Sequence, residues 1–178
     1  MRVRSGNRDE CLTLLLSGGA DFAVTYEGPE EHMPLLPQGF DTVSLGIDRL
    51  VPVCTPALLD RGESVSIPVI AYPSDVFLGR IFQQHIAPRL PTSTVLAPKA
   101  ETALTLAACE YALGGIGVAW LPMTLVALHL AGGRLHCVSG LPEQSLRIVM
   151  IRLAGASHAR KDKTWQMLKT HPDFPDAL

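Results

Sequence analysis

The chain has 178 residues, 15 basic against 17 acidic side chains and a formal charge of −2, so it lacks the surplus of cations needed to displace counterions from nucleic acid phosphates. Hydrophobic residues make up 47% and charged residues 18%; a chain of this size buries roughly 70% of the surface it exposes when unfolded, yet Gly, Pro and His interrupt every apolar run before it reaches the roughly 20 residues that span a bilayer. The polar start, MRVRSGNRDE, has no apolar core of the kind a secretory signal carries, which predicts a cytoplasmic protein with no membrane partner.

In chain order, Arg2-Val3-Arg4 alternates as a strand does. Asn7 with Glu10 three residues later forms a capping box and opens a helix through Leu12, Leu15 and Leu16, which stops at Ser17-Gly18-Gly19. Phe22 to Tyr26 reads as a strand, and Glu27 to Gln38, with three prolines and three glutamates and no periodicity, reads as a surface excursion. Asp41 to Leu45 and Arg49 to Cys54 predict two strands of a hairpin turning at Gly46-Ile47-Asp48. Pro68 to Ala71 and Ser93 to Ala97 predict strands on either side of a helix from Asp75 to Ile86, which carries Leu78, Ile81, Phe82 and His85 on one face. Ala103, Leu104, Ala107, Ala108 and Tyr111 recur at helical spacing up to a Gly114-Gly115 stop. Gly117 to Trp120 then predicts a short buried strand, Pro122 the first turn of another helix, and Gly132-Gly133 its end. Arg147 to Arg152 is a last strand and Arg160 to Leu168 a polar closing helix. Alternation of short strands and helices predicts an α/β fold with a mixed, largely parallel sheet in each layer system.

Residues that carry chemistry are present without the spacing that chemistry needs. Cys11, Cys54, Cys109 and Cys137 form no C-x-x-C pair, and buried small hydrophobes are their first reading; Cys54 and Cys109 are the candidates for a redox thiol. The six histidines never pair at i, i+3 or i, i+4, so no metal site is expected. No G-x-S-x-G elbow supports a hydrolase, and Gly114-Gly115-Ile116-Gly117 precedes a strand instead of following one, the reverse of a dinucleotide fingerprint. The expectation is a binding protein without catalytic residues or a cofactor.

The order helix, Gly114-Gly115-Ile116-Gly117-Val118-Ala119-Trp120-Leu121-Pro122, helix resembles the end of the effector-binding domain of LysR-type transcriptional regulators. Earlier landmarks agree: the stop at Ser17-Gly18-Gly19, the run Ala20-Asp21-Phe22-Ala23-Val24, the strand Leu50-Val51-Pro52-Val53-Cys54 and the loop Ile70-Ala71-Tyr72-Pro73-Ser74. Within the family, the Pro52-Val53-Cys54 run, the Tyr loop and Gly79-Arg80 are most similar to the hypochlorite-responsive HypT group. The methionine which that group carries directly before Gly-Arg is Leu78 here, although Met33, Met123, Met150 and Met167 remain as oxidisable sulfurs, Met123 foremost.

The resemblance implies a bilobed, type 2 periplasmic-binding-protein-like fold. It has two Rossmann-like subdomains joined by two crossover strands, lobe I being 1–53 and 148–178 and lobe II 54–147. It also implies that the first strand and helix of lobe I, and a winged helix-turn-helix before them, lie outside this sequence, leaving strand edges near Val3 and Phe22 open to pairing. The implied function is effector sensing: a small molecule or an oxidant acts at the cleft between lobes and controls DNA binding by the separate N-terminal domain. Ser5, Asn7, Tyr26, Tyr72, Pro73, Ser74, Asp75, Thr102 and Val118 are the implied effector contacts. They fall mainly in the loops 5–8, 26–28, 72–75 and 98–102. Ser74 and Thr102 have a second reading as helix caps, and Trp120, which with Val118 and Ala119 would face the cleft from the opposite strand, has one as a packing residue. Subunits of the family pair as dimers or tetramers, with matching surfaces at Asp9 to Ser17 and Val76 to Ile86. A solute-binding protein of a transport system shares the architecture and is the alternative function.

Overall fold

The computed structural model describes residues 2–29, 39–59, 66–155 and 163–167, which divide into two compact units. Unit 1 comprises 1–48 and 145–178, and unit 2 comprises 49–144. The chain passes from unit 1 to unit 2 between Asp48 and Arg49 and returns between Gln144 and Ser145. No helix among the described residues is long and apolar enough to cross a membrane.

Unit 1 opens with α1 (Arg8–Leu16). Its capping box is complete: Glu10 N–H donates to Asn7 Oδ1 and Asn7 N–H to Glu10 Oε2, both at 2.9 Å, so two of the four orphan donors of the first turn are satisfied locally. Gly18, at φ +70°, supplies the left-handed exit. β1 (Ala23–Glu27) pairs antiparallel with β7 (Gln144–Leu153), from Ala23 opposite Ile151 to Glu27 opposite Arg147. β7 alternates as a strand covered on both faces must. Val149 and Ile151 pack with Leu15 and Ala23 beneath α1, whereas Met150 packs with Val43 and Trp165 on the other face. Trp165, on the helical turn 163–167, is almost wholly buried, stacks on Phe22 at 6.2 Å between ring centroids and carries the Arg152 guanidinium 4.5 Å above its ring. Arg152 also pairs with Asp41 at 2.8 Å.

β2 is one strand of 15 residues, Phe40–Cys54. The expected hairpin at 46–48 therefore does not form. Gly46 sits at φ +142°, an irregularity that glycine absorbs without breaking the strand. Asp48, read as a turn residue, is buried and accepts a hydrogen bond from Tyr26. Nor is Arg2 to Arg4 a strand: the segment is irregular and Val3 is exposed, since extended backbone becomes a strand only when a ladder satisfies its polar groups.

Unit 2 holds the remaining length of β2, then α2 (Pro56–Leu59), β3 (Ile67–Ala71), α3 (Phe77–Ile81), β4 (Leu96–Glu101), α4 (Thr105–Leu113), β5 (Ala119–Pro122), α5 (Met123–Ala131) and β6 (His136–Cys137). β3 and β4 are parallel, with a register shift between Val69 and Ile70. β2 pairs antiparallel with β5 and with β6. Antiparallel pairings thus outweigh the parallel one among the described strands, against the largely parallel sheets expected. The core joins Val51 and Val53 of β2, Ile70, Ala108 and Ala112 of α4, Ala119 and Leu121 of β5, and Val126 of α5. Each fully buried Val, Leu or Ile contributes about 1.5–3 kcal/mol before its ordering entropy is counted.

Several boundaries moved. The helix expected over 75–86 is α-helical only from Phe77 to Ile81, then widens into a π turn (Phe82–Ile86) and tightens into a 3-10 turn (Ala87–Arg89). The strand expected at 93–97 begins at Leu96, and the one at 117–120 begins at Ala119 with Pro122 capping α5. Gly114 ends α4 with Gly115 at φ +72°, and Gly132 ends α5 with Gly133 at φ +66°, as the paired glycines predict. Of the closing helix expected at 160–168, residues 163–167 are helical and the rest lie outside the described residues, as does most of the 27–38 excursion.

Candidate functional site

Ala71 and Glu101 lie opposite each other at the carboxyl ends of the parallel pair β3 and β4. The residues that follow them, Tyr72 and Thr102, are consequently neighbours, and Thr102 N–H donates to Ala71 O at 3.0 Å. From this point one chain turns through Tyr72-Pro73-Ser74-Asp75 into α3, and the other turns through Thr102-Ala103-Leu104 into α4. Loops beyond the carboxyl ends of parallel strands, each leading to a helix amino terminus, are where open α/β sheets place ligands.

Tyr72 anchors this corner. Its hydroxyl donates to Trp120 O at 3.2 Å and lies in hydrogen-bond contact with the Thr105 side chain, which ties β3 to both β5 and α4. Burial pushes the phenol well above its usual range, so the O–H stays protonated and remains a donor. Pro73 O accepts from Val76 N–H at 3.2 Å, closing the turn. Gly79 packs against that same carbonyl, and a Cβ there would overlap Pro73 O. Ser74 and Asp75 are exposed at the tip. Arg80 donates to Asp75 O at 2.6 Å and holds the tip against α3.

The capping readings resolve differently for the two hydroxyl residues. α3 begins after Val76 with no side-chain cap, so Ser74 is not spent on the helix. Thr102 Oγ1 accepts from Leu104 N–H at 3.1 Å, a local turn just ahead of α4. Val118 is buried, with both backbone groups bonded to β3: its N–H donates to Pro68 O and its O accepts from Ile70 N–H. Its side chain belongs to the packing of unit 2. Pro98 to Glu101, expected as a loop, is strand β4, which leaves Lys99 exposed on the sheet.

In unit 1, Asn7 spends its side chain on the capping box, and Ser5 lies exposed beside it. Both line an open depression of about 510 Å³ along α1 together with Arg4, Glu10 and Cys11. Tyr26 donates to Asp48 Oδ2 at 2.9 Å, and next to it the buried Glu27 pairs with Arg147 at 3.1 Å. Tyr26 and Glu27 at the end of β1, Asp48 within β2 and Arg147 on β7 form a polar corner. Asp48 was missed in the sequence because its spacing from Tyr26, 22 residues, carries no local pattern.

The sulfur candidates sit in apolar surroundings. Cys54 is buried and burial pushes its thiol up to about 11; burial, and then Glu110, also raises the thiol of the buried Cys109. Both therefore hold little thiolate, the form that reacts with oxidants. Met123 is half-buried against the core of unit 2.

Comparison with known proteins fits this layout. The family profile for the LysR substrate binding domain matches residues 1–172. The regulatory domain of HypT from Salmonella typhimurium superposes with a TM-score of 0.77 at 20% identity, over 94% of this chain and 80% of that one. Full-length HypT, a hypochlorite-specific LysR-type transcriptional regulator, gives 0.75 at 21% identity, over 94% and 57%. Full-length LysG from Corynebacterium glutamicum with its effector Arg bound gives 0.60 at 22% identity, over 93% and 54%. The chain thus spans little more than half of these full-length regulators. No curated protein sequence matches it. The fold is the type 2 periplasmic-binding-protein-like fold, and the chain belongs to the LysR substrate binding domain family, the effector-binding part of LysR-type transcriptional regulators.

Proposed function

We propose that this domain senses a small-molecule effector at the corner formed by Tyr72, Pro73, Ser74, Asp75 and Thr102. The observation that carries the reading is the junction of Tyr72 and Thr102 at the carboxyl ends of two paired parallel strands, with the uncommitted Ser74 hydroxyl at the loop tip. Ser5, Asn7 and Tyr26 are further proposed contacts, and the proposed lobes are 1–53 with 148–178 and 54–147. Val118 contributes through the packing that fixes β3. LysG has Arg bound as its effector, which supports the small-molecule reading. HypT is hypochlorite-specific, which supports an oxidant, but the buried, weakly acidic Cys54 and Cys109 favour the small molecule.

Occupancy controls DNA binding by a separate winged helix-turn-helix in a cytoplasmic homodimer or tetramer, and only an effector that binds two arrangements unequally shifts their balance. A thermal-shift screen of small acids and metabolites tests the reading, repeated after hypochlorite treatment with mass spectrometry of Cys and Met peptides. At least one compound is expected to stabilise the protein with its sulfurs unmodified. Stabilisation seen only with hypochlorite, alongside oxidised sulfur, would replace the small-molecule reading with the oxidant one.

A further inference from the structure

The segment Pro142-Glu143-Gln144, the last of unit 2 before the chain returns to unit 1, is held at four points. Trp120 Nε1 donates to Pro142 O at 2.9 Å. Arg89 donates to Glu143 O at 2.8 Å and to Gln144 Oε1 at 2.9 Å. Arg49, the first residue of unit 2 on β2, pairs with the Glu143 carboxylate at 3.0 Å. The partners come from three separate elements, so the segment is a strap laid across unit 2 and not a free linker.

Trp120 is the residue shared between this strap and the candidate site. Its carbonyl accepts the Tyr72 hydroxyl and its indole N–H holds Pro142, while Phe82 packs edge-on against its ring at 5.0 Å between centroids. Phe82 opens the π turn, and the 3-10 turn that follows carries Arg89, which is braced by its own bond from Nε to His85 O. A π turn inserts a residue into the helical register and frequently marks a functional position. Here it separates the residue that presses on Trp120 from the one that grips the strap. Trp120 is fully buried and close-packed, so a shift at its carbonyl end is passed to its indole end and not absorbed.

We infer that Trp120 is a positioning residue which couples the Tyr72 loop to the Pro142–Gln144 strap, so that rearrangement of the loop loosens or tightens the segment through which the chain re-enters unit 1. Its use in sensing rests on the effector site proposed above; the coupling itself is measured without any effector. Proximity is not coupling, and a double-mutant cycle distinguishes the two.

The experiment is amide hydrogen exchange of the intact 178-residue chain, read at residues 143–147 in wild type, Tyr72→Phe, Arg89→Gln and the double variant. Arg89→Gln acts on the strap directly and sets the scale. Tyr72→Phe, which deletes one hydroxyl far along the chain, is expected to raise strap exchange by about twofold to tenfold, the equivalent of one lost hydrogen bond. Exchange in α1 should stay at its wild-type rate, and the two effects should combine non-additively. Strap exchange unchanged in Tyr72→Phe, or simple additivity, would overturn the inference. Should Tyr72→Phe fail to fold, Thr105→Val removes the hydroxyl that contacts the Tyr72 oxygen and is read in the same way. A strap that responds in a protein that binds no effector would sink the proposed site and spare the coupling; effector binding with an inert strap would do the reverse.

Discussion

Gly79 of α3 lies directly against the Pro73 carbonyl, leaving no room for a side chain of any size. The contact fixes the loop that carries Ser74 to the helix that follows it, so the loop geometry depends on a residue with no side chain at all. Gly79→Ala is expected to force the loop and α3 apart and to cost about 1–3 kcal/mol, the usual penalty of overpacking. Denaturant unfolding checks this. A cost below about 0.5 kcal/mol, the range of ordinary surface substitutions, would show that the loop is not held in this way.

Trp165 closes one face of the unit 1 sheet through Phe22, Val43, Met150 and Arg152. Trp165→Ala is expected to destabilise the protein by about 3–5 kcal/mol. Trp165→Phe keeps the stacking surface and should cost clearly less. Equal losses for both variants would show that the packing described for this face is incorrect.

Asn7→Ala removes the acceptor for Glu10 N–H and is expected to cost about 1 kcal/mol. Asn7→Ser or Asn7→Asp should recover most of it. Because the side chain is committed to the cap, thermal unfolding of these variants separates Asn7 as a helix start from Asn7 as an effector contact: loss of stability with unchanged effector affinity assigns it to the cap alone.

The Cys54 thiol is raised from 9.0 to about 11 by burial. A raised pKa means that the folded state keeps a proton the unfolded state releases, so its contribution is intact below pH 9 and is lost as pH climbs from about 9 to about 11. Stability followed by chemical denaturation is expected to fall across that window, and Cys54→Ala should fall less steeply. Maleimide labelling at neutral pH should reach the exposed Cys137 well before Cys54 or Cys109. Rapid labelling of Cys54 in the folded protein would contradict its placement.

Much of the fold was legible where local chemistry decides it. The Asn7 and Glu10 cap, the exits at Gly18, Gly115 and Gly133 and the last strand around Arg147 to Arg152 depend on residues a few positions apart, and the structure reproduces them. β2 was misread because Gly46 is a residue that suits a turn, whereas the chain runs extended through it as one strand with β7, β5 and β6 as neighbours. The π turn after α3 was invisible because one inserted residue barely disturbs the spacing of Leu78, Ile81 and Ile86, all buried. In the candidate site, the Tyr72 loop and Trp120 stood out through the family pattern, but the bonds that Trp120, Arg89 and Glu143 make did not. Their bonds join residues 22 to 94 positions apart, and no periodicity reports a contact of that kind.

Isothermal titration of a compound found to stabilise the protein, against wild type and Ser74→Trp, tests the central claim most directly. Ser74 is exposed and is not spent on a helix cap, so the variant should fold with wild-type stability and lose effector binding by at least about a hundredfold, roughly 2.7 kcal/mol. Unchanged affinity in a folded Ser74→Trp protein would contradict the placement of the effector at the Tyr72 corner.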